Sequence, residues 1–140
     1  MIVVSVTKAY KHILFSGSEI KHIAKFVCNK EKIKNAELSF IIVNDRAIRT
    51  INKKFLQHDY VTDVITFPLE IKAVNAEIYV NSQQAKRQAK ENNVTVKNEL
   101  TRLVVHGTLH AIGYDDTTKV NQKKMNAIQE RYVSVLNLKK

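Results

Sequence analysis

The sequence predicts one α/β domain over residues 1–140, with about four strands and about five helices. Three observations carry that reading. Short runs rich in β-branched residues alternate along the chain with longer runs of helical period. No repeat, low-complexity block or proline/glycine linker divides the chain, and the sole proline, Pro68, closes an apolar run instead of opening a linker. A hydrophobic content of 44% with 26% charged residues is that of a globular chain, and this length buries roughly two-thirds of its unfolded surface.

The elements follow in order. IVVSV (2–6) reads as a short strand. Ser16 and Glu19 have capping-box spacing and launch a helix with Ile20, Ile23, Ala24 and Val27 on one face. ELSFIIVND (37–45) is rich in β-branched and aromatic residues and reads as a buried strand. Asn44 or Asp45 caps the next helix, along which Ile48, Ile51 and Phe55 keep a helical period. DVITFPL (63–69) is the third strand. AEIYVN (76–81) is the fourth, with Ala76, Ile78 and Val80 alternating against Glu77 and Tyr79.

Residues 82–91 favour helix but offer only Ala85 and Ala89 as apolar contacts, so Lys86, Arg87 and Lys90 mark either a solvated helix or the rim of an anionic groove. A long helix is expected from about Lys97 to Ile112. A last one, roughly 118–136, packs through Met125, Ile128, Tyr132 and Val135. The strand order is not encoded in these patterns.

Charge narrows the partners. The chain holds 23 Lys+Arg against 13 Asp+Glu, a net +10. Residues 1–54 carry 11 basic and 4 acidic side chains (+7), and residues 55–140 carry 12 and 9 (+3). A field of that sign concentrates polyanions and speeds their encounter. A lysine-rich solvated surface has the same composition, so charge alone does not decide. The only cysteine is Cys28, which excludes an intramolecular disulfide and suits a reducing compartment. IVVSV is too short for a signal-peptide core or a membrane span. A cytoplasmic protein without a membrane partner is expected.

HGTLHAIGYDD (106–116) is the stretch that carries chemistry. Positions four apart on a helix lie one turn above each other, so His106 and His110 can aim both imidazoles at one point. Gly113 can take a left-handed conformation and end the helix. The chain then reverses, and Asp116 can return as a third ligand, leaving a fourth tetrahedral position open, as in catalytic zinc sites. Simpler readings compete: His-x-x-x-His arises by chance, Gly113 serves as an ordinary cap, and Asp116 caps the next helix while Asp115 is the ligand. The histidines, however, sit in a near-apolar run, LVVHGTLHAIG, where an unpaired imidazole is costly. Zincin proteases share the spacing but use H-E-x-x-H, whose glutamate is the general base. Here that position is Gly107, and a metalloprotease falls behind.

H-G-x-L-H-x-x-G-Y-D at 106–115, read with Asn52, Phe55 and Thr62-Asp63-Val64-Ile65-Thr66-Phe67-Pro68 upstream, resembles the YbeY family of bacterial metal-dependent endoribonucleases. The resemblance runs from about residue 37 to the end. It implies a small mixed sheet against helices and one zinc ion per chain in a cleft, held by His106, His110 and Asp116. It also implies processing of ribosomal RNA, especially the 3′ end of the small-subunit RNA, and ribosome quality control. The partners implied are single-stranded or ribosomal RNA and the ribosome or its proteins, with no DNA.

Three departures stand out. Asp116 occupies the place of the family's usual histidine ligand, Phe55-Leu56 replaces a Tyr-Arg whose arginine is implicated in catalysis, and Ala76-Glu77-Ile78 replaces Gly-Asp-Ile.

In that reading the metal lowers the pKa of a bound water and offsets charge developing on the phosphorane. With Leu56 at the arginine position, a substitute is sought among Arg102, Lys53, Lys54 and His58. Arg102 lies four residues before His106 on the same stripe. Glu99, seven before it, is a potential hydrogen-bond acceptor for a ligand imidazole. A surface side chain or salt bridge is the simpler account of any one of these. His58 and Arg102 are the catalytic candidates retained, and Tyr60 and Tyr79 the candidates for stacking on bases. The rival of another class is a non-catalytic basic RNA- or ribosome-binding module with a vestigial metal site. Whether water or the RNA 2′-hydroxyl attacks is left open by the sequence.

Overall fold

The computed structural model describes residues 1–11 and 15–138, and the side chain of Leu138 is outside that description. Four strands, β1 (Ile2–Lys8), β2 (Ala36–Val43), β3 (Val64–Pro68) and β4 (Val74–Asn81), form one sheet in the order β1-β2-β4-β3. β1, β2 and β4 are parallel, and β3 runs antiparallel along the edge of β4, so the sheet is mixed. Among the described residues five helices accompany the sheet: α1 (Gly17–Lys30), α2 (Asp45–Leu56), α3 (Ser82–Glu91), α4 (Val96–Ile112) and α5 (Lys119–Leu138). The predicted α/β class with about four strands and five helices is the one observed.

Local chemistry fixes the helix starts. Ser16 Oγ accepts from the Glu19 amide at 3.1 Å and donates to its carboxylate at 3.3 Å, so α1 begins where the capping box predicts. Of the two caps proposed for α2, Asn44 is the one, accepting from the Ala47 amide at 3.0 Å. Asn44 and Asp45 thus leave the strand that the sequence reading extended through them.

The sheet separates two unequal cores. On one face Leu38, Phe40, Ile42, Ala76, Ile78 and Val80 pack with α1, α4 and α5. On the other, α2 alone covers Val43 and Ile65 through Ile48, with Ile51 and Tyr79 beside them. Each large side chain so buried contributes about 1.5–3 kcal/mol.

Two helix faces differ from expectation. Phe55 keeps the period of α2 but lies beyond the covered face, 57% exposed, with its ring edge-on to Phe67. On α5 the buried positions are Met125, Gln129, Val133 and Leu136, with Ile128, Tyr132 and Val135 only partly covered. The predicted stripe was therefore rotated slightly, and it missed a buried glutamine.

Candidate metal centre

α4 positions the site. Thr95 caps it, accepting from the Asn98 amide at 3.0 Å, and Gly113 ends it with φ 124°, where a side chain would be strained. The Gly113 and Tyr114 amides return to the carbonyls of Leu109 and His110, and the chain reverses. Asp115 Oδ1 then accepts from the amide and hydroxyl of Thr117 and from Asn121 Nδ2, which binds it into the turn before α5. Those bonds hold its carboxyl below the usual range. Asp116 faces the other way, with Oδ2 3.4 Å from His110 Nε2. Asp115 anchors the turn, and Asp116 turns to the histidines.

His106, His110 and Asp116 each offer a ligand atom within 4.8 Å of the other two. The imidazole rings lie 4.7 Å apart and nearly perpendicular, at 77°. Their second nitrogens are both engaged. Nδ1 of His106 meets Gln129 Oε1 at 2.6 Å, and Nδ1 of His110 meets the Tyr114 carbonyl at 2.9 Å. Amide and peptide oxygens only accept, so each Nδ1 carries a hydrogen, and in the neutral ring that leaves the lone pair on Nε2. That tautomer is the one a divalent ion requires. Two ligands about 2.0–2.1 Å from one tetrahedral ion stand about 3.3 Å apart. The His110–Asp116 separation fits that edge, and the N,N,O donor set suits zinc.

Support for His106 runs well behind it. Gln129 is buried, and its Nε2 donates to Glu130 Oε2 at 3.1 Å. Arg102 grips the Glu130 carboxylate through Nε and a terminal nitrogen, and holds its pKa below the usual range. Arg102 also donates to buried Glu99 at 2.7 Å, Glu99 accepts from Gln88 Nε2 at 2.8 Å, and Gln88 reaches Asp63 at 3.3 Å. The chain of bonds joins one ligand to an aspartate of the cleft. Tyr114 is tied in turn by its hydroxyl to Glu31 at 2.6 Å, a bond that pushes the phenol up to about 12.

Gly107 has a steric reason. A Cβ there would lie 2.6 Å from Ile78 Cγ2, in the middle of the sheet. α4 therefore crosses the strands too closely for the glutamate that zincins carry at this position. Thr66 Oγ1 closes the approach by donating to the Gly107 carbonyl at 3.3 Å.

The three candidate ligands open on a cleft of about 410 Å³, whose other lining includes Asn52, Leu56, His58, Tyr60, Asp63 and Thr66. The segment after α2 forms its far wall. Buried Asn52 ties it, donating through Nδ2 to the Tyr60 carbonyl at 3.1 Å and accepting at its own carbonyl from the His58 amide. His58 and Tyr60 stack, with centroids 5.2 Å apart, and Tyr60 Oη meets His58 Nδ1 at 3.1 Å.

Of the sequence candidates, His58 and Tyr60 thus reach the cleft. Arg102 and Glu99 do not line it, being spent on each other and on Glu130 and Gln88. Lys53 leans to Asp59 at 3.9 Å, Lys54 lies over the Phe55 ring, and Tyr79 packs edge-on to Phe67. Cys28 is buried, its thiol pushed up to about 11 by desolvation. Sequence reasoning missed Gln129, although a polar residue four after Met125 and four before Val133 was a readable signal.

Known proteins are similar to this chain in sequence and fold. The family described as Endoribonuclease YbeY matches residues 5–137. The endoribonuclease YbeY of Endomicrobium trichonymphae is 38% identical over 117 residues, covering 84% of this chain and 83% of that protein. That of Bacillus subtilis is 35% identical over 136 residues, covering 87% of each. The solution structure of TM1509 from Thermotoga maritima is similar at a TM-score of 0.70 and 33% identity, over 97% of this chain and 89% of that one.

Proposed function

Because the chain belongs to the YbeY endoribonuclease family, we propose that it is a zinc-dependent endoribonuclease that cuts single-stranded ribosomal RNA in the cytoplasm, in maturation of the small-subunit 3′ end and in ribosome quality control. The observation that carries the reading is the convergence of His106, His110 and Asp116 on the floor of an open cleft. Three protein ligands leave one position for water or a phosphoryl oxygen, as in catalytic rather than structural zinc sites. The net charge of +10 favours a polyanionic substrate, and among the described residues no helix is long and apolar enough to cross a membrane.

The residues divide the work as follows. His106 and His110 present their Nε2 lone pairs from a buried helix, and Asp116 adds a carboxylate that lowers the net charge of the bound ion. When bound, zinc supplies Lewis acidity toward water and phosphoryl oxygen. Gln129 and the Tyr114 carbonyl hold the two rings in the ligating tautomer. His58, which lines the cleft with Tyr60 Oη at its Nδ1, is the side chain assigned to move a proton. Leu56 lines the cleft where the family commonly places an arginine, so positive charge at the phosphate falls to the ion and not to that residue.

Zinc content and cleavage of a single-stranded RNA, measured together for the wild type, His110→Ala and Asp116→Ala, test the proposal. Both variants are expected to lose zinc and cleavage together. A wild type that holds one zinc per chain and cuts no RNA overturns it. Replacing the scissile ribose by deoxyribose then assigns the nucleophile: surviving cleavage excludes attack by the 2′-hydroxyl.

A further inference from the structure

We propose that the outer face of Tyr60 is a nucleobase subsite, which stacks a base of the RNA strand next to the metal centre. The inference rests on the reading of the chain as an endoribonuclease and adds how the strand is held. Tyr60 is 54% exposed although it lines the cleft that contains His106, His110 and Asp116. An aromatic ring exposed beside a reaction site offers a π-face on which a base of a single strand can stack.

The ring is also fixed in advance. His58 backs one face at a nearly parallel 14°, and the hydroxyl is held by His58 Nδ1. The backbone on either side is clamped by Asn52, 2% exposed, and Asp59 between the two rings is bound by Arg49 at 2.8 Å. A base that lands on Tyr60 therefore extends an existing stack without ordering a loose side chain. Any base has a π-face, so such a platform holds a strand without reading its sequence. Arg46, Arg49 and Lys53 line a neighbouring groove with Asp45 and Asp59, a surplus of basic over acidic side chains that suits the phosphates of the same strand. The substitution at the family's arginine position makes the subsite matter more. With Leu56 in the cleft wall, grip on the strand shifts from a cation at the phosphate to stacking at the base.

Equilibrium binding of a fluorescent ten-nucleotide 2′-O-methyl oligouridine, and of the same strand with abasic residues throughout, tests this. Strand length is checked after each titration. Tyr60→Ala is expected to weaken the base-bearing strand roughly tenfold and leave the abasic strand unchanged. Tyr60→Phe, which keeps the ring, is expected to bind as the wild type. So is Phe55→Ala, since that exposed ring packs on Phe67 outside the cleft. Equal binding by Tyr60→Ala and wild type overturns the subsite and leaves the ring to a protein contact. Equal losses on both strands, or an equal loss in Phe55→Ala, also overturn it. If the wild type cleaves RNA and Tyr60→Ala binds normally, only the subsite falls. If the wild type binds neither strand, the nuclease reading falls with it.

Discussion

On one side of the cleft His106 and His110 stand on a buried helix, and each ring is gripped at its second nitrogen. On the other side His58 and Tyr60 hang from an exposed segment that is fixed through its backbone, by Asn52. The first wall is specified side chain by side chain, as the proposed metal site requires, since such a site tolerates little angular error. The second specifies where the chain runs and leaves the side chains open to change. The departures from the resembled pattern fall on both sides. Leu56 sits on the permissive wall, whereas on the strict wall the two histidines and Gly107 keep the pattern and Asp116 exchanges one ligating side chain for another.

The sharpest way to break that contrast is at Gln129. Gln129→Leu keeps the volume and removes the acceptor from His106 Nδ1, so zinc affinity is expected to drop about 10- to 100-fold. Competition against a chelator of known affinity reads this directly, and nitrogen NMR of the zinc-free protein should show His106 losing its fixed tautomer. Unchanged affinity would mean that the helix alone orients the ring.

A smaller effect is expected at Gly107. Overpacking costs about 1–3 kcal/mol, and alanine returns about 1 kcal/mol of helix propensity. Gly107→Ala should therefore lower unfolding free energy by up to about 2 kcal/mol in urea titration, since Ile78 has no room to move in the sheet. A more stable variant would show that α4 can lift from the strands.

The smallest change belongs to the permissive wall. Asp59 pairs with Arg49 and Lys53 at a half-exposed surface. Asp59→Ala should leave the urea unfolding midpoint nearly unchanged and leave zinc affinity as it was. A loss of zinc would show that the two walls are coupled after all.

Much of the strict wall is legible in one dimension, because its information is local. The histidine spacing, the glycine that reverses the chain and the returning aspartate fall within eleven residues, 106–116. Asp115 and Asp116 could not be told apart by spacing. The choice depends on Thr117 and Asn121 capturing Asp115 through the turn. Arg102 looked catalytic because it shares a helical stripe with His106, but that stripe faces α5, where Glu130 takes the guanidinium.

The permissive wall was harder to see. Its meeting with α4 depends on β3 pairing antiparallel at the sheet edge, and no periodicity in the sequence sets that order. Phe55 misled for a related reason: a helical period continues past the last residue that the sheet covers.

The most direct test of the metal centre is a crystal grown with zinc and measured at its absorption edge. One anomalous peak per chain is expected, within about 2.0–2.2 Å of His106 Nε2, His110 Nε2 and an Asp116 carboxylate oxygen. A zinc ion bound through Asp115 with Asp116 turned to solvent, or the two imidazoles pointing apart with the ion elsewhere, would contradict the account.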